Sequence, residues 1–473
     1  MSSLLCMKFG GTSVGSAERI RIAARISAEQ WTRRGVVVVV SAMSKITDLL
    51  LDTLKRAEAG DRGAVARSIQ GLEQRHFDAC RDLLPVDKQG QVFSAMHELI
   101  YEFQRIANGI LMLGERPPKS VDEAVITGEK LSALLMAASL ENEGVRAMAV
   151  SGADAIVTDA VFGNATPLMD PTRQKARALL LPVVESGVLP VVTGFNGATP
   201  DGRPTTLGRG GSDYSASILA SVLEAEELWI WTDVDGIMTA DPRLVPDAAV
   251  LAEVTYREAA ELAYNGAKVL HPRTLAPLIE RQIPVWSKNS FNLAAPGTKI
   301  VPVIAASSGA RAVTSMSNVA LISLEPASSA ISGTRMMARA LDALAATGAE
   351  VLALSSSSYT QSFCFLVRKE ELRGVISAVE ETLSLELAHG YLKAIYVDEN
   401  VGLLAIVGEG MQGTAGLAGR MFTAISRENV NIIAIAQGSS ELTIAIVVRR
   451  DGLEKAVKAV HAECRMGEQG RDS

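Results

Sequence analysis

Close to its amino terminus the chain reads Lys8-Phe9-Gly10-Gly11-Thr12-Ser13-Val14-Gly15. A short apolar run over residues 4–9 precedes the glycines, and a helical pattern follows over residues 17–33. Glycines let backbone N–H groups come close to an anion, and a neighbouring lysine neutralises its charge. This stretch therefore predicts a buried strand, a phosphate-binding turn and a helix, which is a typical beginning of an α/β nucleotide-binding fold.

Three further glycine signatures repeat the combination of small residues and charge. They are Leu207-Gly208-Arg209-Gly210-Gly211-Ser212-Asp213, Trp231-Thr232-Asp233-Val234-Asp235-Gly236 and Gly266-Ala267-Lys268-Val269-Leu270-His271-Pro272. A single such loop is weak evidence for a phosphate site. Several in one chain, each joined to a strand or helix pattern, indicate phosphoryl transfer.

Strand and helix patterns alternate through the first 300 or so residues. After the first strand, further strands are predicted over residues 36–40, 188–193, 227–231 and 283–286, with helices between them. This alternation is typical of a parallel or mixed sheet that helices cover on both faces. Ligands of such sheets bind outside the carboxyl ends of the strands, where the glycine signatures fall.

Composition excludes several other classes of protein. The net charge of −7 and the aromatic content of 4% give no nucleic-acid footprint and no polybasic membrane anchor. The four cysteines are far apart and have no metal-binding spacing, so we expect reduced thiols and no metal site built from protein ligands alone. No signal peptide is visible at the amino terminus, and we expect a cytoplasmic enzyme without a membrane partner.

An internal repeat follows a linker of small residues that begins near position 305. Residues 321–367 and 402–448 align without a gap, 81 positions apart, and each copy reads strand, loop, helix, strand, turn, strand. Two small copies are expected to pack together as a sensor module. The second copy contains Gly408-Glu409-Gly410-Met411-Gln412-Gly413, which matches the dinucleotide-binding pattern. Because no further strand–helix–strand series follows, a small-ligand loop is the favoured interpretation.

With these motifs together, the chain resembles the aspartate kinases, of the monofunctional kind. The resemblance covers essentially the whole chain, and residues 8–14 and 206–213 carry its most specific motifs. It implies an amino-acid kinase domain over residues 1–302 with a mostly parallel sheet sandwiched by helices. A regulatory region over residues 303–473 would hold two intertwined α+β ferredoxin-like ACT repeats, at about 318–395 and 396–468. The implied reaction is MgATP-dependent phosphorylation of the aspartate side-chain carboxylate, the first step in making lysine, threonine and methionine.

One group of predicted site residues binds aspartate and transfers the phosphoryl group. A carboxylate with a pKa of about 4 is already a nucleophile at neutral pH, so positioning and charge neutralisation should suffice for catalysis. Lys8 is the natural cation for the transferred phosphoryl group, and the resemblance makes Asp213 the residue that orients it. Arg209 would clamp a carboxylate of aspartate with two hydrogen bonds. The resemblance adds, as further aspartate-binding residues, Ser41, Thr47, Glu129, Phe195, Gly210, Gly211 and Ser212.

Some of these assignments have a structural alternative. Glu129 would bind the substrate amino group, but a carboxylate also suits the start of a helix. Ser41 and Thr47 could equally cap helices. Asp213 could complement a helix dipole or contact a metal ion, although we expect Mg²⁺ to be held mainly by the nucleotide phosphates.

By the same resemblance a second set of residues contacts ATP. It comprises Lys8, Phe9, Gly10, Gly11, Thr232, Asp233, Met238, Arg243, Lys268 and Val269. Met238 stands where relatives often carry tyrosine, which removes the aromatic contact to the base. Asp235 is assigned only to a turn, and His271 is interpreted as structural.

The regulatory repeat is expected to bind an amino-acid effector, with threonine favoured over lysine. The predicted effector residues are Met411, Thr414, Gly416, Leu417, Ile432 and Gln437. The first repeat has Ser356 where the second has Gln437, so its own pocket is doubtful. ACT repeats commonly pair across subunits, which implies a homodimer or homotetramer.

Two other functions keep the same fold. The acceptor could be glutamate or another acidic amino acid, which the signature around Phe9, Thr12 and Arg209 disfavours. The chain could instead be an amino-acid sensor without activity, which the presence of Lys8, Arg209 and Asp213 disfavours.

Overall fold

The computed structural model describes residues 3–267, 270–304, 309–327 and 332–466 of the chain. The strands are β1 (Leu4–Phe9), β2 (Gly35–Val40), β3 (Ala147–Val150), β4 (Leu189–Thr193), β5 (Asn196–Ala198), β6 (Pro204–Thr206), β7 (Glu227–Thr232), β8 (Glu253–Thr255), β9 (Val285–Asn289), β10 (Thr298–Val301), β11 (Ala312–Leu324), β12 (Ala353–Ser356), β13 (Phe363–Arg368), β14 (Tyr396–Val407), β15 (Ile432–Gln437) and β16 (Thr443–Arg449). The helices are α1 (Ala17–Trp31), α2 (Ile46–Glu58), α3 (Arg62–Leu83), α4 (Val86–Leu113), α5 (Pro118–Val125), α6 (Thr127–Asn142), α7 (Gly152–Ala155), α8 (Met169–Glu185), α9 (Gly211–Leu223), α10 (Tyr256–Tyr264), α11 (Pro272–Ile279), α12 (Gly333–Thr347), α13 (Leu372–Thr382), α14 (Ser384–Ala388), α15 (Leu417–Arg427) and α16 (Leu453–Glu463), with a short 3-10 helix at Arg450–Gly452.

The chain divides into two compact units that are interleaved in sequence. The first comprises Met1–Ile237, Ala252–Tyr256 and Leu270–Val303, and the second comprises Met238–Leu251, Arg257–Val269 and Ile304–Ser473. Two segments from within the first 302 residues therefore cluster with the carboxyl-terminal repeats.

An eight-stranded sheet organises the first unit, in the order β3-β4-β2-β1-β7-β9-β10-β8. The six strands from β3 to β9 run parallel, whereas β10 is antiparallel to β9. This confirms the predicted mostly parallel sheet. A separate two-stranded hairpin joins β5 to β6.

The register of the central strands brings their carboxyl ends into line. Phe9 lies opposite Val40 on one side and Trp231 on the other, and Val40 in turn lies opposite Thr193. The next residue in each chain segment begins a glycine-containing or polar turn. Segments more than 200 residues apart in sequence thus meet at one edge of the sheet, as the general geometry of parallel sheets requires.

Helices cover both faces of this sheet. Strands β1 and β2 are buried along almost their whole length, which explains their continuous apolar sequences. Leu5, Met7 and Phe9 share one core with α1 and α6, while α8 and α9 pack on the sheet through the alternate residues. Within the described residues, no helix combines the length and the apolar character needed to cross a membrane.

The second unit is built on a six-stranded antiparallel sheet in the order β12-β13-β11-β14-β16-β15. Its elements repeat at the spacing seen in the sequence: α13 starts at Leu372 and α16 at Leu453, 81 positions later. Strands β12 and β13 likewise correspond to β15 and β16, and helix α12 corresponds to α15. Helices α12 and α13 cover the first copy, and α15 and α16 cover the second.

The two interleaved segments of the second unit pack against the second copy of the repeat. Thr239 donates or accepts a hydrogen bond with His461 of α16 at 2.9 Å, and its carbonyl accepts from the backbone of Val313 at 2.8 Å. Ala240 and Val245 are buried in the same apolar core as helices α15 and α16. On α10, the buried Glu258 accepts from the backbone N–H of Glu409 at 3.0 Å.

Candidate active site

The residues predicted from sequence to bind aspartate or transfer the phosphoryl group line one cleft of about 490 Å³ in the first unit. The cleft opens at the carboxyl edge of the sheet, between the turns after β1, β2 and β4 and the loop that precedes α9. The predicted residues in its wall are Lys8, Gly11, Ser41, Thr47, Glu129, Phe195, Arg209, Gly210, Gly211, Ser212 and Asp213. Every predicted aspartate-binding residue and both predicted catalytic residues thus lie around a single cavity.

Lys8 and Asp213 form an ion pair in the wall of this cleft. Lys8 is the penultimate residue of β1, and its Nζ lies 2.5 Å from Oδ1 of Asp213. Only 7% of Lys8 is exposed. Asp213 belongs to the first turn of α9, where a carboxylate is also stabilised by the helix dipole. The aspartate therefore holds the lysine ammonium at the cleft surface.

Glu129 is a buried carboxylate with unused hydrogen-bonding capacity. It lies in the first turn of α6 and is only 2% exposed. Its Oε1 accepts from the backbone N–H of Ala42 at 3.1 Å, while Oε2 has no partner among the described residues. Burial raises the pKa of Glu129 to about 8. A cationic group entering the cleft would supply the missing partner and favour the ionised form.

The loop that carries Arg209 depends on glycine at particular positions. Gly208 and Gly210 have φ of 75° and 64°, in the left-handed region that residues with a side chain avoid. A Cβ on Gly211 would approach the ring of Phe195 to 2.6 Å. These glycines place Arg209 at the cleft immediately before α9 begins.

Two residues that the sequence analysis did not single out support this loop. Arg273 donates to Oδ1 of Asn164 at 2.5 Å and to the carbonyls of Leu207 and Ala165 at 3.3 and 2.9 Å. Asp122, which is 2% exposed, accepts from the backbone and hydroxyl of Thr206, both at 2.9 Å. Neither has a local sequence signature, because each acts on segments distant in the chain.

Two non-glycine residues of the cleft have left-handed backbone conformations. Lys45, just before α2, has a φ of 67°, and Phe195, just after β4, has a φ of 71°. Such conformations cost free energy and concentrate at functional sites. Lys45 was not predicted as a site residue, although it lies in the turn between β2 and α2 and lines the cleft.

The predicted nucleotide-binding residues of the first unit lie beside the cleft. The backbone N–H of Gly10 donates to the carbonyl of Trp231 at 3.2 Å, which joins the turn after β1 to the end of β7. Thr232 is the last residue of β7, and its hydroxyl donates to Asp233 at 3.3 Å. A Cβ on Gly11 would come within 2.9 Å of the carbonyl of Ala42. The turn therefore needs glycine to lie this close to the strand β2 segment.

Comparison with known proteins places these features in a family. Residues 3–289 match the amino acid kinase family, and residues 404–464 match an ACT domain. The aspartokinase of Schizosaccharomyces pombe is 31% identical over 96% of this chain and 92% of its own length. The chain belongs to the aspartokinase family. The shared fold extends to a crystal structure of Escherichia coli aspartokinase III in complex with aspartate and ADP (30% identity, TM-score 0.82, 97% of this chain and 99% of that one).

Another relative is longer than this chain, and a second solved structure holds a different ligand. The bifunctional aspartokinase/homoserine dehydrogenase 1 of Arabidopsis thaliana is 35% identical over 96% of this chain, which spans about 50% of that relative. The same E. coli enzyme in complex with lysine and aspartate matches with a TM-score of 0.80 at 29% identity, over 98% of this chain and 99% of that one.

Four of the predicted nucleotide-binding residues remain: Met238, Arg243, Lys268 and Val269. Met238 and Arg243 lie in the second unit, where Arg243 pairs with Asp241 at 2.6 Å. Lys268 and Val269 lie outside the described residues. His271 accepts at Nδ1 from the backbone N–H of Arg273 at 3.2 Å and caps α11, as expected for a structural residue.

The predicted effector residues lie in the matched ACT domain, four of them in or next to the start of α15 and two at the ends of β15. Met411 and Leu417 are buried in the core of the second repeat, which leaves only their backbone groups for a ligand. Gly416 precedes α15 with a φ of 81°, Thr414 is exposed, and Gln437 ends β15 with an exposed side chain. Ile432, at the other end of β15, is partly buried.

The glycines within residues 408–413 serve the close packing of backbone segments. A Cβ on Gly408 would meet the carbonyl of Gly309 at 2.6 Å, and the backbone N–H of Gly413 donates to Glu441 at 2.7 Å. The N–H groups of the loop at Glu409 and Gly413 are therefore already bound by side-chain carboxylates.

Proposed function

We propose that the protein transfers the γ-phosphoryl group of ATP to the side-chain carboxylate of L-aspartate and releases 4-phospho-L-aspartate and ADP. The observation that carries this proposal is the set of charges in one cleft. The buried carboxylate of Glu129, with its unpartnered Oε2, suits the substrate ammonium, the guanidinium of Arg209 suits a carboxylate, and the Lys8–Asp213 pair suits the transferred group.

The chemistry requires little from the protein beyond positioning. The attacking carboxylate is ionised at neutral pH, so no general base is needed. In this proposal Glu129 binds the α-ammonium and Arg209 the α-carboxylate of aspartate, so that the side-chain carboxylate is left to face Lys8. The lysine ammonium neutralises charge on the transferred group as the bond to the carboxylate oxygen forms and the bond to the leaving phosphate breaks.

The turn after β1 fits a nucleotide polyphosphate. A Cβ on Gly10 would lie only 3.4 Å from Nζ of Lys8 and 3.5 Å from the carbonyl of Trp231, so glycine keeps this space beside the lysine free of side-chain atoms. Gly10, Gly11 and Lys8 would bind the phosphates, and Thr232 with Asp233 would contact the nucleotide. Magnesium bound mainly by the nucleotide phosphates would neutralise their charge.

A hydroxamate assay tests the reaction and its acceptor together. Hydroxylamine traps the acyl phosphate formed from aspartate, and glutamate serves as the competing acceptor. We expect kcat/KM for aspartate to exceed that for glutamate, and Lys8→Ala to abolish the signal. Faster reaction with glutamate would contradict the assigned substrate, and equal ATP turnover in the wild type and Lys8→Ala would contradict catalysis at this cleft.

We further propose feedback control by an end-product amino acid, with threonine favoured and lysine as the alternative. The ACT domain match over residues 404–464 supports an amino-acid effector. The exposed Gln437, at the end of β15, is the expected polar contact. Inhibition by threonine that weakens in Gln437→Ala supports this assignment, whereas inhibition by lysine alone, or inhibition unchanged in that variant, contradicts it.

The physiological setting completes the proposal. The reaction would be the first step of the synthesis of aspartate-derived amino acids, in the cytoplasm, where the four cysteine thiols remain reduced. Assembly into a homodimer or homotetramer through the ACT repeats is expected, and sedimentation analysis at several protein concentrations tests it.

A further inference from the structure

A second polar cluster lies at the carboxyl edge of the first unit, on the side of β7 and β9. Its central residue is Ser290, the first residue after β9, which is only 2% exposed. The Ser290 hydroxyl donates to Oγ of Ser13 at 2.8 Å, and Ser13 in turn donates to the carbonyl of Trp231 at 3.2 Å. The backbone N–H of Ser290 donates to the carbonyl of Thr232 at 2.9 Å. This cluster joins the ends of three strands.

The segment that carries Ser290 is fixed at two further places. Asp235, in the turn after β7, accepts from Nδ2 of Asn289 at 2.7 Å and from Nδ2 of Asn292 at 3.1 Å. The guanidinium of Arg19, in the first turn of α1, stacks 3.7 Å from the ring centre of Phe291. The turn after β9 is therefore tied both to the turn after β7 and to the helix that follows the turn after β1.

This arrangement has a direct consequence for the phosphate-binding turn. Gly10 and Gly11 have no side chains, so their position depends on the contacts of their neighbours. The side chain of Ser13 links that turn to the ends of two other strands. Its hydroxyl donates to the carbonyl of Trp231 in β7 and accepts from the hydroxyl of Ser290 after β9. All of these contacts join the turns after β1, β7 and β9 to one another.

We propose that Ser290, acting through Ser13, is a positioning residue for the nucleotide phosphates. It fixes the distance between the glycine turn after β1 and the Thr232–Asp233 turn after β7, so that both can contact one nucleotide. The inference rests on the proposed function, because it assigns those two turns to ATP. It predicts that loss of the Ser290 hydroxyl affects nucleotide binding and transfer, and leaves aspartate binding unchanged.

The test uses Ser290→Ala, Ser13→Ala and the double variant in the full chain. Ser27→Ala is the matched control, since Ser27 is also fully buried and its hydroxyl donates to a backbone carbonyl, that of Ala23 at 2.8 Å, within α1. Titration calorimetry measures the Kd for MgADP, and the hydroxamate assay measures kcat and both KM values. Circular dichroism confirms that each variant is folded.

We expect each single variant to raise the Kd for MgADP and the KM for ATP roughly tenfold, with an unchanged KM for aspartate. The double variant should be little worse than either single one, because both break the same hydrogen bond. An unchanged Kd for MgADP in folded Ser290→Ala, or equal increases in both KM values, overturns the positioning role. Absence of aspartate phosphorylation by the wild type would instead refute the proposed function, so the two failures are distinguishable.

Discussion

The replacement Glu129→Gln provides the sharpest test of the acceptor site. Gln keeps the size of the side chain and an oxygen that can accept from Ala42, but it removes the charge. Burial raises the pKa of Glu129 to about 8, so only about one tenth of the empty enzyme carries the carboxylate at pH 7. If the ionised form binds the substrate ammonium, kcat/KM for aspartate should rise about tenfold per pH unit up to pH 8 and then level off.

In Glu129→Gln this rise should disappear. Loss of one partner of a buried charge pair costs about 2–5 kcal/mol, so kcat/KM for aspartate above pH 8 should fall by at least about thirtyfold. The KM for ATP should change little. Glu141→Gln, an exposed position on the same helix, is the control and should retain the wild-type profile. The assay is the rate of hydroxamate formation from pH 6 to 9 at saturating MgATP.

The pH dependence of thermal stability provides an independent test of the raised pKa of Glu129. The pKa of Glu129 in the folded protein lies above its value of 4.5 in the unfolded chain. Its contribution to the free energy of unfolding is therefore fully present below pH 4.5 and is lost as the pH rises through about 8. Without ligand, Tm should fall over this range in the wild type and fall less in Glu129→Gln. A wild-type kcat/KM that is flat from pH 6 to 8, or an identical slope in the variant, would refute the reasoning.

Three further predictions concern the Lys8–Asp213 pair, Arg209 and His76. Lys8→Ala should lower kcat, measured by hydroxamate formation, by about 10³-fold or more. Asp213→Asn should lower kcat less, because asparagine only weakens the interaction that positions the Lys8 ammonium. Comparable kcat values in Lys8→Ala and the wild type would contradict the assignment. Arg209→Lys keeps the charge but loses the two-pronged geometry, so the KM for aspartate should rise about tenfold at constant KM for ATP; a parallel change in both would show a general distortion. Burial lowers the pKa of His76, which is fully buried on α3, to about 4. The free energy of unfolding should therefore fall by up to about 3 kcal/mol as the pH falls from 6.5 to 4. Denaturant titration of His76→Leu should show a weaker dependence of the free energy of unfolding on pH.

The fold was predictable wherever a local pattern coincides with a structural element. The valine run of β2 is bounded by a glycine and ends in a polar turn, so its strand was recognised almost to the residue. The first three helices after β2, namely α2, α3 and α4, are separated near Gly60 and Pro85. Those residues are visible helix breakers in the sequence. The last predicted strand, over residues 283–286, lies at Val285–Asn289, because its polar second half pairs within the sheet.

The cleft residues were predictable for a similar reason, because each belongs to a short motif next to a strand or helix. Arg273, Asp122 and Ser290 were not predictable in this way. Their partners lie between 41 and 277 positions away in sequence, and a side chain that bonds to a distant backbone leaves no periodic or motif signal. The polar residues after the final parallel strand were the one available hint for Ser290.

The unpartnered Oε2 of Glu129 is best explained by a ligand that binds beside it. A buried carboxylate with an unpartnered oxygen lowers the stability of the empty protein, and an apolar residue would pack there at less cost. Such a group persists where a ligand supplies the missing partner, because the free energy lost in the empty state is then recovered as binding energy. Lys8 differs, since Asp213 already neutralises it. The proposed function assigns that missing partner to the substrate ammonium, which would bind beside Glu129 and leave the side-chain carboxylate to face Lys8.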